Sequence, residues 1–136
     1  MKHIKTYEVM ASFKTASDYL KDIFLEMEDN GIFVKVNYND NFNRIDICVD
    51  NHGDSIDLSK YLDVLGSADA YLISVGLYMS EIRILSNPYK DEDFSRHFDN
   101  GIKTYKRFYD LERDVNKVDF PINITEIEIY IYRWDT

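Results

Sequence analysis

The sequence predicts an α+β domain: an antiparallel or mixed sheet of about four strands with helices packed on one face. Three observations predict it. Segments 15–30 and 57–65 carry apolar residues at helical spacing, whereas 45–50 and 126–134 alternate apolar and polar residues. In order the segments read helix, strand, strand, helix, strand, helix, strand, without the strict alternation that a doubly wound parallel sheet needs. Only 5 Gly and 2 Pro occur in 136 residues, which favours a few long elements over a many-turned sandwich.

The first helix is expected over 15–30, where Leu20, Ile23, Phe24 and Met27 share one face. Thr15 or Ser17 could cap its start, and Gly31 suits its end because glycine enters the left-handed region without steric cost. Strands at 32–38 and 45–50 follow. The run Asn39-Asp40-Asn41-Phe42-Asn43 joins them as a hairpin, since Asn and Asp side chains favour turns. In the second strand Ile45, Ile47 and Val49 alternate with Asp46 and Cys48, the pattern of a sheet buried on one face.

From 57 to 65 the spacing of Leu58, Tyr61, Leu62 and Leu65 predicts a helix, with Gly66 breaking or bending it before a second piece that runs to Gly76. Residues 77–85 read as a third strand, stopped by Asn87-Pro88. The charged, aromatic stretch 91–117 reads as helical with an interruption at Gly101, on the spacing of Phe94, Phe98, Ile102, Tyr105, Phe108, Tyr109 and Leu111. Residues 126–134 form the clearest strand: Ile127, Ile129 and Ile131 point one way, Glu128, Tyr130 and Tyr132 the other. Such a strand near the C-terminus would invite pairing between copies if it formed a sheet edge.

No linker, repeat or low-complexity run divides the chain, so residues 1–136 are expected to fold as one domain. At 45% hydrophobic and 15% aromatic the chain has apolar area to offset the entropy of ordering. Cys48 is the single cysteine, which excludes an intramolecular disulfide and a cysteine-based zinc site and fits a reducing compartment. The basic start Met1-Lys2-His3-Ile4-Lys5 precedes no apolar run of signal-peptide length. The longest nearly apolar run, 71–79, is about half of the ~20 residues a bilayer requires. A cytoplasmic protein without membrane association is therefore expected.

The densest polar cluster, Asp46, Asp50, His52, Asp54 and Asp57, could ligate a hard divalent cation. A metal-dependent hydrolase using Asp50, His52 and Asp54 is one reading. The spacing fails the calcium-loop pattern, however, because Gly53 stands fourth from Asp50 and not sixth. Glu81-Ile82-Arg83 likewise offers arginine where the Glu-x-Lys nucleases have lysine. His3, His52 and His97 could each serve as a base but have no recognisable local partner, and no Gly-x-Ser-x-Gly, Gly-x-Gly-x-x-Gly or phosphate-binding glycine loop occurs. No catalytic residue, metal site or cofactor is assigned on sequence grounds, and a non-enzymatic binding protein is expected.

Charge is unevenly distributed. The whole chain carries −9, which repels phosphate backbones on average and suits basic partners. Asp18, Asp22, Glu26 and Asp29 lie on roughly one face of the first helix, spaced by three or four residues. Such a row can imitate phosphate spacing and occupy a basic nucleic-acid channel. Residues 102–117 depart from this, with Lys103, Lys106, Arg107, Arg113 and Lys117 against Asp110, Glu112 and Asp114. Tyr105, Phe108 and Tyr109 are interleaved with those cations. Lys103, Lys106, Arg107 and Tyr109 thus form an alternative candidate surface, for RNA or single-stranded DNA held by phosphate contact and base stacking.

The opening Lys2-His3-Ile4-Lys5-Thr6-Tyr7-Glu8, the helix ending Met27-Glu28-Asp29-Asn30-Gly31 and the following Phe33-Val34-Lys35-Val36 resemble small bacteriophage proteins over about the first 40 residues. That resemblance implies a setting and no residue roles. Small acidic phage proteins without catalytic motifs often inhibit host defence, among them anti-CRISPR proteins that bind an RNA-guided nuclease or its guide. On this reading the partner is a host protein with a basic surface, met in the host cytoplasm.

Overall fold

A computed structural model describes residues 2–39, 41–86, 101–117 and 122–133. Its centre is a five-stranded antiparallel sheet, ordered β1 (Phe33–Asn39), β2 (Arg44–Asp50), β7 (Glu126–Arg133), β4 (Leu77–Leu85) and β5 (Ile102–Tyr105). Helices α1 (Lys2–Ile23), α3 (Leu62–Ser74) and α4 (Phe108–Asn116) cover one face: α1 lies against β1 and β2, α3 against β4, and α4 against β5. A two-stranded ribbon of β3 (Ile56–Asp57) and β6 (Asn123–Ile124) buries Ile56, Leu58, Ile122 and Ile124 in the same core. The expected α+β architecture is present, with one more strand in the main sheet than predicted.

The sheet's alternation sets which face is which. Ile47 pairs with Val36 on one side and Ile129 on the other, and Ile129 pairs in turn with Ile82; all four are buried. Their neighbours in sequence, including Asp46, Cys48, Glu128 and Tyr130, point to the opposite, half-exposed face. In β4 the apolar positions change parity, Leu77 and Met79 being odd and Ile82 and Ile84 even. A bulge between Met79 and Glu81 absorbs the extra residue, so all four side chains stay in the core.

Several expected boundaries move. The first helix starts at Lys2, and Thr15 and Ser17 lie inside it. Ser17 is buried and its hydroxyl donates to the Phe13 carbonyl one turn back (3.0 Å), so it caps nothing. Phe13 and Ala16 continue the buried stripe of Leu20, Phe24 and Met27. The helix is interrupted at Phe24 and resumes as α2 (Leu25–Asp29). Gly31 ends it as expected: at φ 83° its N–H donates to Glu28 and the Ile32 N–H to Met27, which satisfies the last carbonyls.

Asp57 belongs to β3 and not to a helix. Its carboxylate accepts from the Ser59 N–H (3.1 Å) and hydroxyl (2.6 Å), while the Leu58 N–H donates to Ile122 (2.7 Å). These bonds hold a turn and delay α3 to Leu62, after which it runs through Gly66 unbroken. Residues 102–105 are strand, correcting the helix expected there. The every-third spacing of Ile102, Tyr105 and Phe108 mimics a helix, but Ile102 and Tyr105 pair with Leu85 and Ile82 across the sheet. The proposed helix before Gly101 and the stop at Asn87-Pro88 lie outside the described residues. Finally, β7 is the central strand, with β2 and β4 on its two sides, so it offers no free edge.

Candidate functional site

On the open face of the sheet two arginines are held by neighbouring carboxylates and hydroxyls. Arg44 donates to both oxygens of Asp46 (2.7 and 3.3 Å) and to the Tyr132 hydroxyl (3.2 Å). Its guanidinium also lies 4.9 Å from the rings of both Phe42 and Tyr130. Arg83 sits 3.7 Å from Glu128, which accepts from the Tyr130 hydroxyl at 2.7 Å. The Cys48 thiol donates to Glu126 (3.1 Å), and burial together with that carboxylate pushes its pKa up to about 12. Cys48 is therefore a neutral thiol and an unreactive one at neutral pH.

The acidic row differs. Asp18 and Asp22 on α1 and Glu26 and Asp29 on α2 are all exposed. Asp18 approaches Lys21 only at 3.9 Å, an exposed pair of little strength. Among the described residues Asp22, Glu26 and Asp29 form no ion pair. From the neighbouring α3, Asp63 joins Glu26 and Ile23 in lining a shallow cleft, which adds a fifth carboxylate to the ridge.

The basic-aromatic residues are gathered in a groove of about 560 Å³ at the other side of α3. The turn from β5 into α4 supplies Lys106, Arg107, Phe108 and Tyr109; α3 adds Asp69 and Ile73, and β4 adds Tyr78 and Met79. Phe108 and Met79 are buried and form the floor, whereas Lys106, Arg107, Ile73 and Tyr109 are exposed, the last at 64%. No side-chain hydrogen bond caps α4, and Asp110 in its first turn is the one carboxylate set against the dipole at the end where the two cations stand. The turn is anchored from below by the buried Tyr105, whose hydroxyl donates to Asp114 of α4 at 2.8 Å. Arg113 packs 6.0 Å from the Tyr109 ring.

Lys103 is not part of this groove. It lies in β5 opposite Ile84, with its ammonium 5.7 Å from the Tyr105 ring. Asp69, Ile73 and Tyr78 had gone unmarked in the sequence because each is ordinary in its own segment; only the packing of α3 and β4 brings them to Arg107. Asp69 is half-buried, and burial, then repulsion from Glu112, raises its pKa. Asp50 ends β2 and His52 and Asp54 occupy the turn that follows, where the Asp50 carboxylate accepts the His52 N–H at 3.0 Å. Among the described residues no three His, Cys, Asp or Glu side chains are placed to share a metal ion. No helix among them is long and apolar enough to cross a membrane. No family model, curated protein or solved structure matches the chain.

Proposed function

We propose that the protein acts by binding, without chemistry on a substrate, and that the ridge of Asp18, Asp22, Glu26 and Asp29 is its principal contact face. The observation that carries this reading is the contrast in pairing. On the open sheet face Asp46 and Glu128 have cationic or hydroxyl partners and Glu126 accepts from a thiol, whereas Asp22, Glu26 and Asp29 of the ridge are exposed and form no ion pair among the described residues, and Asp18 has only the 3.9 Å approach of Lys21. Unpaired like charges on adjacent turns repel one another and are relieved by a basic partner.

A cationic channel built to hold a phosphate backbone fits such a row, because it is already matched to closely spaced negative charge. Together with the likeness of the first 40 residues to small phage proteins, this favours a host RNA-guided nuclease as the partner. The protein would then work in the host cytoplasm and need no cofactor. Binding of the full chain to such a nuclease, with and without guide RNA, tests the reading by interferometry at 50 and 300 mM NaCl. Affinity should fall steeply with salt, since exposed charges are screened within about 10 Å at 0.1 M. The combined variant D18N/D22N/E26Q/D29N should bind roughly tenfold more weakly or worse at low salt. Salt-independent binding, or a variant that binds like the wild type, would remove the ridge from the mechanism.

A further inference from the structure

We infer that the groove between α3, β4 and the start of α4 binds a nucleotide unit, its ring held between apolar and aromatic walls and its phosphate on Lys106 and Arg107. The inference stands apart from the acidic ridge, which α3 separates from the groove.

Size and shape come first. A concavity of about 560 Å³ falls within the range of small-molecule sites, and such sites combine mostly apolar walls with a few polar groups that fix orientation. Exposed apolar side chains are unremarkable when single, but Ile73 (54% exposed) and Tyr109 (64%) border the same hollow, with the Tyr78 ring also on its wall. Flat rings beside an open hollow are suited to receive another flat ring.

Charge then selects among flat ligands. Lys106 and Arg107 are adjacent in sequence, exposed, and form no ion pair among the described residues, in a chain whose net charge is −9. Among the described residues these two cations are unpaired, so an anion is a complementary occupant. Asp69 contributes the third element. It is a half-buried carboxylate on the groove wall with no partner among the described residues, and it is an acceptor that can take a hydrogen bond from a ring amino or imino group. Ring, ring-borne N–H donor and anionic group occur together in a nucleotide. A fatty acid lacks the donor and the flat ring, and inorganic phosphate lacks both.

Free nucleoside monophosphates and single-stranded nucleic acid share this chemistry, and one experiment separates them. Fluorescence anisotropy of 5′-labelled eight-nucleotide RNA and DNA strands is measured with the full chain at 50 mM NaCl, with unlabelled nucleoside 5′-monophosphates or inorganic phosphate as competitors. Saturable strand binding that monophosphates displace only at large excess identifies a single strand as the ligand. Direct calorimetric binding of a monophosphate, as tight as that of a strand, identifies the free nucleotide. In either case K106E/R107E should abolish binding, and Y109A should weaken it by roughly 5- to 100-fold, the usual cost of one lost stack. Both substitutions lie on exposed side chains, and unchanged thermal melting verifies that the variants fold.

The ridge variant D18N/D22N/E26Q/D29N should bind strands at least as tightly as the wild type, which separates failure here from failure of the proposed function. Absence of binding by both strands and monophosphates overturns the inference. So does binding that phosphate displaces as well as a nucleotide does, or binding indifferent to K106E/R107E and Y109A.

Discussion

At position 69 the helix layer holds a carboxylate half-buried on the groove wall, near enough to Glu112 for repulsion, and both effects raise its pKa. A carboxyl whose pKa is higher in the folded state favours folding below its unfolded value and opposes it once pH passes the folded value. Asp69 is thus an expense to the fold at pH 7. Asp69→Asn should raise the melting temperature at pH 7, and the gain should close as pH falls below about 4, where the aspartate is protonated in both states. Thermal melts of the two proteins from pH 3 to 8 check this. Cys48 shows the same sign at the alkaline end. Its thiol is pushed up to about 12 from 9.0, first by burial and then by Glu126, so the stability it contributes is complete below pH 9 and is lost between pH 9 and 12. Cys48→Ala should flatten the decline of the urea midpoint across that window. Iodoacetamide at pH 8 should alkylate Cys48 far more slowly in the native protein than in urea.

Among the elements, β7 is the central strand, with strands on both sides and Ile127, Ile129 and Ile131 fully buried. Ile129 is fully buried between Ile47 and Ile82, so Ile129→Ala should cost about 2–5 kcal/mol by loss of contacts and a residual cavity. Val34 on the edge strand β1 is only partly buried, and Val34→Ala should cost roughly 1 kcal/mol or less. Urea denaturation with unchanged slope separates the two. Gly101 makes a second test. Its φ is 81°, its carbonyl accepts the Ser86 N–H at 2.8 Å, and a Cβ there would meet the Ser86 oxygen at 3.0 Å. Gly101→Ala should therefore destabilise by about 1–2 kcal/mol, read from the same curves.

The elements also show what the chain made legible. Strict alternation makes 45–50 and 126–134 legible as strands because a half-buried sheet imposes its period directly on the sequence, and 77–85 is legible although its apolar positions change parity at the bulge. Residues 102–105 read as helix in the sequence because a short strand followed at once by an amphipathic helix presents apolar residues at Ile102, Tyr105, Phe108 and Leu111, a spacing of three that belongs to no single element. The start of α1 was misplaced because Ser17 looks like a cap, and only burial shows that its hydroxyl turns back to Phe13. Of the groove, Lys106, Arg107 and Tyr109 were visible as a local cluster. Asp69, Ile73 and Tyr78 are distant in sequence and meet only through tertiary packing.

For the molecule as a whole, the helix layer divides the surface. α3 packs against α1 and against α4, with the acidic ridge on the α1 side and the basic-aromatic groove on the α4 side. On the open sheet face behind them Arg44 pairs with Asp46 and Arg83 with Glu128, and the clearest strand of the sequence lies at the sheet's centre, so that strand is not available for pairing between copies. Among the described residues the ridge of Asp18, Asp22, Glu26 and Asp29 is the exposed acidic face proposed for a basic partner. Amide hydrogen exchange of the full chain, alone and bound to an RNA-guided nuclease, tests this most directly. Slowed exchange is expected across residues 18–32 and at the start of α3, with the sheet unchanged. Protection confined to residues 101–109 or to the open face of the sheet, or no difference between the free and mixed samples, would contradict it.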